Sequence, residues 1–170
     1  EEGASKDAKQ IYLDILSRFP KNRKAQNCLA SFYKIKHETI NQLINLYNQG
    51  QFLETVKKAN LILESYPEAF MVWNVLGAAN KELNKIGESA NSFKKVTELN
   101  PTYANGFNNL GIVLQELGKV EDAIKAYNRA ITIRPDFAEA HYNMGNALKD
   151  KDKLEEAIKA YNQAVTIRPD

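Results

Sequence analysis

The sequence predicts an all-α protein, a solenoid built from antiparallel pairs of helices, and three observations lead to this prediction. Four of the five prolines follow one another at steps of 34 residues: Pro67, Pro101, Pro135 and Pro169. Residues 102–135 and 136–169 are identical at 17 of 34 aligned positions. Within each period, apolar residues recur every three or four positions, as on one face of an α-helix. A fixed period of this length is typical of units that stack on their neighbours.

The unit at 102–135 shows how each period divides. A first apolar stripe predicts one helix, a loop follows at Gly118 and Lys119, and a second stripe predicts another helix that ends before Pro135. The stripes consist of Phe107, Leu110, Leu114 and Leu117, and then of Val120, Ala123, Ile124, Tyr127, Ala130 and Ile131. Each repeating proline is expected at the start of the following helix, because its missing N–H would have no intrahelical partner there.

Glycine recurs at one position of the predicted first helix, as Gly77, Gly111 and Gly145. A glycine inside a helix costs about 1 kcal/mol relative to alanine, so its repetition indicates that the backbone of a second helix crosses there at short range. Small and bulky residues alternate around this position: Ser89, Ala123 and Ala157 among the small, and Trp73, Phe107, Phe93, Tyr127 and Tyr161 among the large. We interpret the aromatic residues as densely packed core.

These residues resemble the tetratricopeptide repeat family, whose 34-residue pattern fixes an aromatic residue, Leu-Gly, Tyr or Leu, Ala, a second aromatic residue, Ala and Pro. The unit at 102–135 matches this pattern with Phe107, Leu110, Gly111, Leu114, Ala123, Tyr127, Ala130 and Pro135. The next unit matches it with His141, Met144, Gly145, Leu148, Ala157, Tyr161, Ala164 and Pro169. The resemblance implies a right-handed superhelix that binds protein or peptide partners.

The expected division of the chain follows the prolines. Three repeats are predicted at 68–101, 102–135 and 136–170, the last with a truncated C-terminal end, after a degenerate repeat at 36–67. The degenerate unit has Leu43 where glycine is expected, although Gly50 and Phe52 mark its turn.

The first part of the chain fits the period less well. Residues 1–35 are predicted as a partial, degenerate helical repeat, because Pro20 does not lie on the 34-residue step. Residues 22–48 can form one long helix or two helices joined near Lys36, and we favour two. The chain opens and stops partway along the repeat pattern, so we expect a fragment of a longer protein that is truncated at both ends.

The resemblance also implies where a partner would bind. In this family the first helix of each unit lines the concave side of the superhelix, and side chains three or four residues apart share that face. The predicted peptide-binding groove contains Asn41, Asn74, Lys81, Asn105, Asn108, Asn109, Ile112, Gln115, Tyr142, Asn143, Asn146 and Lys149. An asparagine amide both donates and accepts hydrogen bonds, so it can pair with a peptide backbone whatever that peptide's side chains are.

Asn41, Asn109 and Asn143 occupy equivalent positions and resemble the asparagine ladder in the superhelical region of O-linked N-acetylglucosamine transferases. Val75 interrupts this ladder. The alternative interpretation is that the chain is simply rich in asparagine, with 18 in all.

Composition and charge exclude several classes of partner. Lys and Arg number 23 and Asp and Glu 21, which gives a net charge of +2 over 170 residues. This excess is too small for a protein that coats nucleic acid or anionic lipid. No apolar run approaches the roughly 18 residues of a membrane span, and one cysteine with two histidines is too few for the usual zinc site. We therefore expect no nucleic-acid partner, no membrane partner, no metal and no cofactor.

The predicted function is a non-catalytic scaffold that binds a peptide or protein segment. His37 and His141 have no local acidic or cysteine partner, and His141 stands where an aromatic residue normally packs. Cys28 is interpreted as a small core residue. The alternative is the substrate-recruiting arm of a larger enzyme, a glycosyltransferase or sulfotransferase, whose catalytic domain is absent from this chain.

Two further expectations concern the environment of the protein. A single unpaired cysteine favours the cytoplasm. The last predicted helix, 154–167, has no capping helix after it, so we expect self-association through its apolar face.

Overall fold

Eight α-helices and no strand form the described part of the chain. In the computed structural model, the described residues are Arg18, Lys21, Asn22 and 37–169. The helices are α1 (His37–Asn48), α2 (Phe52–Ser65), α3 (Phe70–Glu82), α4 (Ile86–Leu99), α5 (Ala104–Glu116), α6 (Val120–Ile133), α7 (Ala138–Lys149) and α8 (Leu154–Ile167).

Some expectations concern residues outside this part. The predicted partial repeat at 1–35 lies outside the described residues except at Arg18, Lys21 and Asn22, and Cys28 lies outside them as well. The junction expected near Lys36 is also outside them, so α1 is described from His37 onward.

The helices pack as consecutive pairs that stack on one another. Contacts join α1 to α2, α3 to α4, α5 to α6 and α7 to α8 within pairs, and α2 to α3, α4 to α5 and α6 to α7 between pairs. The first helices of neighbouring pairs also touch, α1 with α3 and α5 with α7. This arrangement confirms the predicted all-α solenoid of antiparallel helix pairs.

The core consists of small clusters that neighbouring pairs complete for each other. Phe93 and Val96 of α4 pack with Val113 of α5, and all three side chains are buried. Ala130 of α6 packs in the same way with Phe137, at the start of α7. Because each cluster needs residues from the next pair, the stack rather than the single hairpin is the stable unit.

Ring packing within a pair explains the repeated glycine. A Cβ atom on Gly77 would lie 2.9 Å from Cε1 of Phe93, and one on Gly145 would lie 2.6 Å from Cε1 of Tyr161. A real Cβ atom needs more room than this. The predicted close approach is confirmed, but the neighbour is the aromatic ring of the second helix and not its backbone.

The turn inside each pair places one residue in the left-handed region. These residues lie 34 positions apart: Gly50 (φ 73°), Asn84 (φ 57°), Gly118 (φ 71°) and Asp152 (φ 56°). At the third of them, Gly118 N–H donates to Gln115 O at 2.9 Å and Lys119 N–H donates to Leu114 O at 2.9 Å. This pair of bonds is the Schellman motif, which satisfies the last carbonyls of a helix and requires positive φ after its end.

Pro67, Pro101 and Pro135 lie in the turns between pairs and not at the starts of helices. Tyr103 N–H donates to Asn100 O at 3.1 Å, which closes a four-residue turn with Pro101 at its second position. The following helix, α5, begins only at Ala104. The expectation that proline opens the next helix is therefore wrong, because the fixed φ of proline serves the second position of a turn equally well.

Candidate functional site

Hydrogen bonds between asparagine side chains connect the first helices of neighbouring pairs. We call the surface formed by side chains of α1, α3, α5 and α7 the first-helix face. On it, Asn109 donates its side-chain amide to Oδ1 of Asn74 at 3.3 Å. One repeat further, Asn143 donates to Oδ1 of Asn108 at 3.1 Å. These bonds link α3 to α5 and α5 to α7.

Asn108 lies beneath this surface. Its side chain is 1% exposed, its Nδ2 donates to Oε1 of Glu139 at 3.1 Å, and its Oδ1 accepts the bond from Asn143. Both ends of the amide are therefore used inside the protein. Among the residues predicted for the groove, Asn108 positions Glu139 and Asn143 and does not itself meet a ligand in this arrangement.

Gln115 and Lys81 are tied to residues of the next repeat. The Gln115 Nε2 group donates to Oδ2 of Asp150 at 2.6 Å, and its Oε1 accepts from the Tyr127 hydroxyl at 3.2 Å. The Lys81 ammonium lies 3.4 Å from Oε1 of Glu116. These contacts again join α3 to α5 and α5 to α7 along the first-helix face.

Asn105 and Asn146 are half-buried, and each accepts a hydrogen bond from a residue in, or directly after, a second helix. Asn105 Oδ1 accepts from Nη2 of Arg134 at 2.9 Å, and Asn146 Oδ1 accepts from the Tyr161 hydroxyl at 2.8 Å. In both amides the oxygen is engaged, while the Nδ2 group keeps its donor hydrogens for another partner.

The remaining predicted residues are more accessible. Asn41 and Lys149 are exposed, and Tyr142 is 55% exposed with its ring centre 5.6 Å from that of Tyr161. Asn74, Ile112, Asn109 and Asn143 are half-buried.

A recess of about 250 Å³ lies between α1, α3 and α5, and we call it the Tyr47 recess. It is lined by three residues predicted for the groove and four others: Lys81, Asn109 and Ile112, and then Tyr47, Ala78, Glu82 and Phe93. The Phe93 ring is 2% exposed and comes from α4, so a second helix supplies part of the floor.

Sequence reasoning did not select Tyr47, although a signal for it existed. Tyr47 lies 34 residues before Lys81, which was selected, so the repeat spacing marks the equivalent position in the degenerate repeat. Burial raises the pKa of the Tyr47 hydroxyl, and the charge of Glu82 together with a hydrogen bond to its carboxylate raises the pKa further. The hydroxyl therefore stays neutral beside Glu82 at ordinary pH.

The first-helix face carries more acidic than basic groups. In α3, α5 and α7 and the residue directly after α7, its charged residues are Glu82, Glu116, Glu139 and Asp150 on the acidic side and Lys81 and Lys149 on the basic side. Burial raises the pKa of the Tyr127 hydroxyl, and three of these carboxylates, Glu116 foremost, raise it further. The negative potential of these carboxylates at the buried phenol disfavours its ionised form.

His141 has a structural role in the described contacts. Its buried ring places Nε2 3.0 Å from Pro135 O, and since a carbonyl oxygen only accepts, Nε2 carries the hydrogen. Two repeats earlier, Nε1 of Trp73 donates to Pro67 O at 2.8 Å in the same way. The imidazole therefore replaces an indole as the donor that fixes the turn between pairs.

Within residues 37–169 and the three described residues before them, no three His, Cys, Asp or Glu side chains cluster as metal ligands would. No helix in this part of the chain combines the length and apolar character that crossing a bilayer requires.

Helix pairs stacked with a 34-residue period define a helical-repeat protein of the solenoid class. Matches to family models described as tetratricopeptide repeat cover residues 72–103, 92–125 and 138–170, and one described as TPR repeat covers 113–152. The chain belongs to the tetratricopeptide repeat family. This confirms the resemblance drawn from the sequence and the right-handed superhelix that it implies.

Solved structures of MamA share the fold. One described as "Crystal structure of MamA" is 21% identical, with a TM-score of 0.74, and the match covers 99% of this chain and 91% of that one. Another, "MamA 41-end from Desulfovibrio magneticus RS-1", is 19% identical, with a TM-score of 0.73, and covers 96% of each chain. At these identities the likeness concerns the fold alone. No curated protein matches the chain.

Proposed function

We propose that this chain is a non-catalytic scaffold that binds an extended peptide or protein segment along the first-helix face. The tetratricopeptide repeats support a role in protein interaction. The observation that carries the finer proposal is the placement of Asn109 and Asn143. Both are half-buried at equivalent positions of consecutive repeats. Each donates only one of its two amide hydrogens to an asparagine of the preceding repeat.

The remaining hydrogen-bonding groups of Asn109 and Asn143 suit a peptide backbone. Each of these side chains keeps its Oδ1 and a second N–H, which together can accept from and donate to one peptide unit. Recognition through the backbone orders the partner without demanding a particular side chain at that position. A ladder of this kind gives affinity, and neighbouring surface features then give specificity.

The test is a double substitution with a matched control. The chain with Asn109→Ala and Asn143→Ala is compared with the chain with Asn128→Ala and Asn162→Ala, which changes two exposed asparagines of α6 and α8 at the same 34-residue spacing. Binding of a random peptide library, read by the fraction of peptides retained on immobilised protein, is expected to fall only in the first variant. Asn143→Ala removes the donor to the buried Oδ1 of Asn108, so the first variant is expected to lose about 1–3 kcal/mol of stability, and retention is compared at a temperature where circular dichroism shows both variants folded.

Equal retention by both variants would contradict the proposal. Retention of no peptide by the unsubstituted chain would contradict it as well.

Nothing in the described residues or in the comparisons favours the alternative of an enzyme's recruiting arm. The cytoplasmic location inferred from cysteine usage stays a prediction.

A further inference from the structure

We propose that the Tyr47 recess takes one apolar side chain of an extended peptide whose neighbouring residues are lysine or arginine. This inference rests on the peptide-binding function proposed above and names the class of peptide. Three features of the recess lead to it: its floor, the asparagine in its wall and the charge at its rim.

The floor of the recess is apolar. Phe93 is buried beneath it, and Ala78 and Ile112 are half-buried at its sides. Its volume of about 250 Å³ is below the roughly 300–1,000 Å³ of sites that enclose whole small molecules. The recess is therefore suited to a single side chain and not to a cofactor. Removal of that side chain from water would supply the binding energy.

The wall of the recess contains Asn109, so the side chain and the backbone of one peptide can be held together. Packed helices lie about 8–10 Å apart, and an extended chain advances about 3.3 Å per residue. A peptide whose backbone pairs with Asn109 therefore reaches Asn143, one repeat further, after about three residues. The apolar residue then occupies the recess while the segment that follows runs over α7.

The uncompensated charge at the rim of the recess is negative. Glu82 is exposed there, and the nearby charge of Lys81 is already compensated by Glu116 at 3.4 Å. Towards α7 the same face adds two carboxylates, Glu139 and Asp150, against one ammonium, Lys149. Lysine or arginine on either side of the apolar residue would complement these charges, whereas an acidic peptide would be repelled.

The test uses the full chain and three fluorescent nine-residue peptides. The first has a central leucine flanked by lysines that alternate with serines, the second has serine in place of leucine, and the third has glutamates in place of lysines. Fluorescence anisotropy is expected to show binding of the first peptide, at least a tenfold loss with the second, and no measurable binding of the third. Raising the salt concentration is expected to weaken binding of the first peptide.

Two variants of the protein test whether the recess and its rim determine the preference for leucine and lysine. Ala78→Met fills the recess and is expected to abolish the preference for leucine over serine. Glu82→Gln, at an exposed position that keeps an acceptor for Tyr47, is expected to reduce binding of the lysine peptide about two- to fivefold. Circular dichroism of both variants checks that they fold. If Ala78→Met does not fold, Tyr47→Ala, which removes one wall, is expected to weaken the leucine preference instead.

The outcomes separate this inference from the proposed function. Peptide binding that depends on Asn109 and Asn143 but ignores leucine, lysine and both recess variants would overturn the inference and leave the proposed function standing. Failure of every peptide, including a random library, would overturn both.

Discussion

The ring of Tyr127 packs directly against the backbone of Gly111, so that a Cβ atom at this glycine would lie only 2.7 Å from Cδ1 of the ring. Tyr127 is 1% exposed, and its hydroxyl donates to Gln115 on the first-helix face. One side chain thus fixes both the spacing of α5 and α6 and the orientation of a residue predicted for the groove.

Gly111→Ala is expected to destabilise the fold by about 1–3 kcal/mol, because the tyrosine ring cannot move without disturbing the core. The matched control is Gly87→Ala in α4, where an added Cβ meets nothing within 4 Å. Since that residue is exposed, alanine is expected to raise stability there, by up to about 1 kcal/mol. Urea unfolding of both variants measures the difference, and equal effects would refute the steric explanation.

Substitutions at two left-handed turn positions are expected to change stability in opposite directions. Gly118→Ala places a side chain at φ 71° with no neighbour within 4 Å, so its expected cost of about 1–2 kcal/mol is conformational. Asp152→Gly relieves the equivalent strain at φ 56° and is expected to raise the unfolding midpoint slightly. A neutral Gly118→Ala variant in thermal or urea unfolding would show that the turn adapts.

The burial of Asn108 predicts that this residue contributes to stability as well as to the face. Asn108→Ala removes two part-buried hydrogen bonds, one to Glu139 and one from Asn143, and the expected loss is about 1–3 kcal/mol. Asn41→Ala, at an exposed position of α1, is expected to change stability by less than about 0.5 kcal/mol. Urea unfolding that gives both variants the same small effect would contradict this assignment.

The apolar side of α8 predicts self-association. Leu154 and Ile158 are each 57% exposed and Val165 is 60% exposed, whereas their equivalents in α6, among them Ile124 and Ile131, are half-buried against α7 and α8. Exposed apolar patches of this kind mark contact surfaces. Static light scattering is therefore expected to show a mass that rises above the monomer value with concentration.

The double variant Ile158→Asp and Val165→Asp is expected to abolish this rise. Leu61→Asp, at a 65% exposed leucine of α2, serves as the control and is expected to leave the rise unchanged. A constant monomer mass for the unsubstituted chain at high concentration would count against self-association.

The sequence by itself determined the repeat. The 34-residue step, the two apolar stripes in each unit and the glycine in each first helix are local patterns, and one α-helical geometry converts them into stacked pairs. The prediction that the prolines start helices was wrong, because a turn and a helix start both accept the proline φ.

Only the tertiary structure decided which residues of the predicted groove are accessible. Asn108 and Asn109 are identical neighbours in the chain, yet the first is buried where it bonds to Glu139 and Asn143 of α7, and the second lies in the wall of a recess formed with α1 and α3. That recess also needs Tyr47 from a degenerate repeat and Phe93 from a second helix. The angle at which successive pairs stack brings these residues together, and that angle depends on side-chain packing between repeats and not on any local pattern.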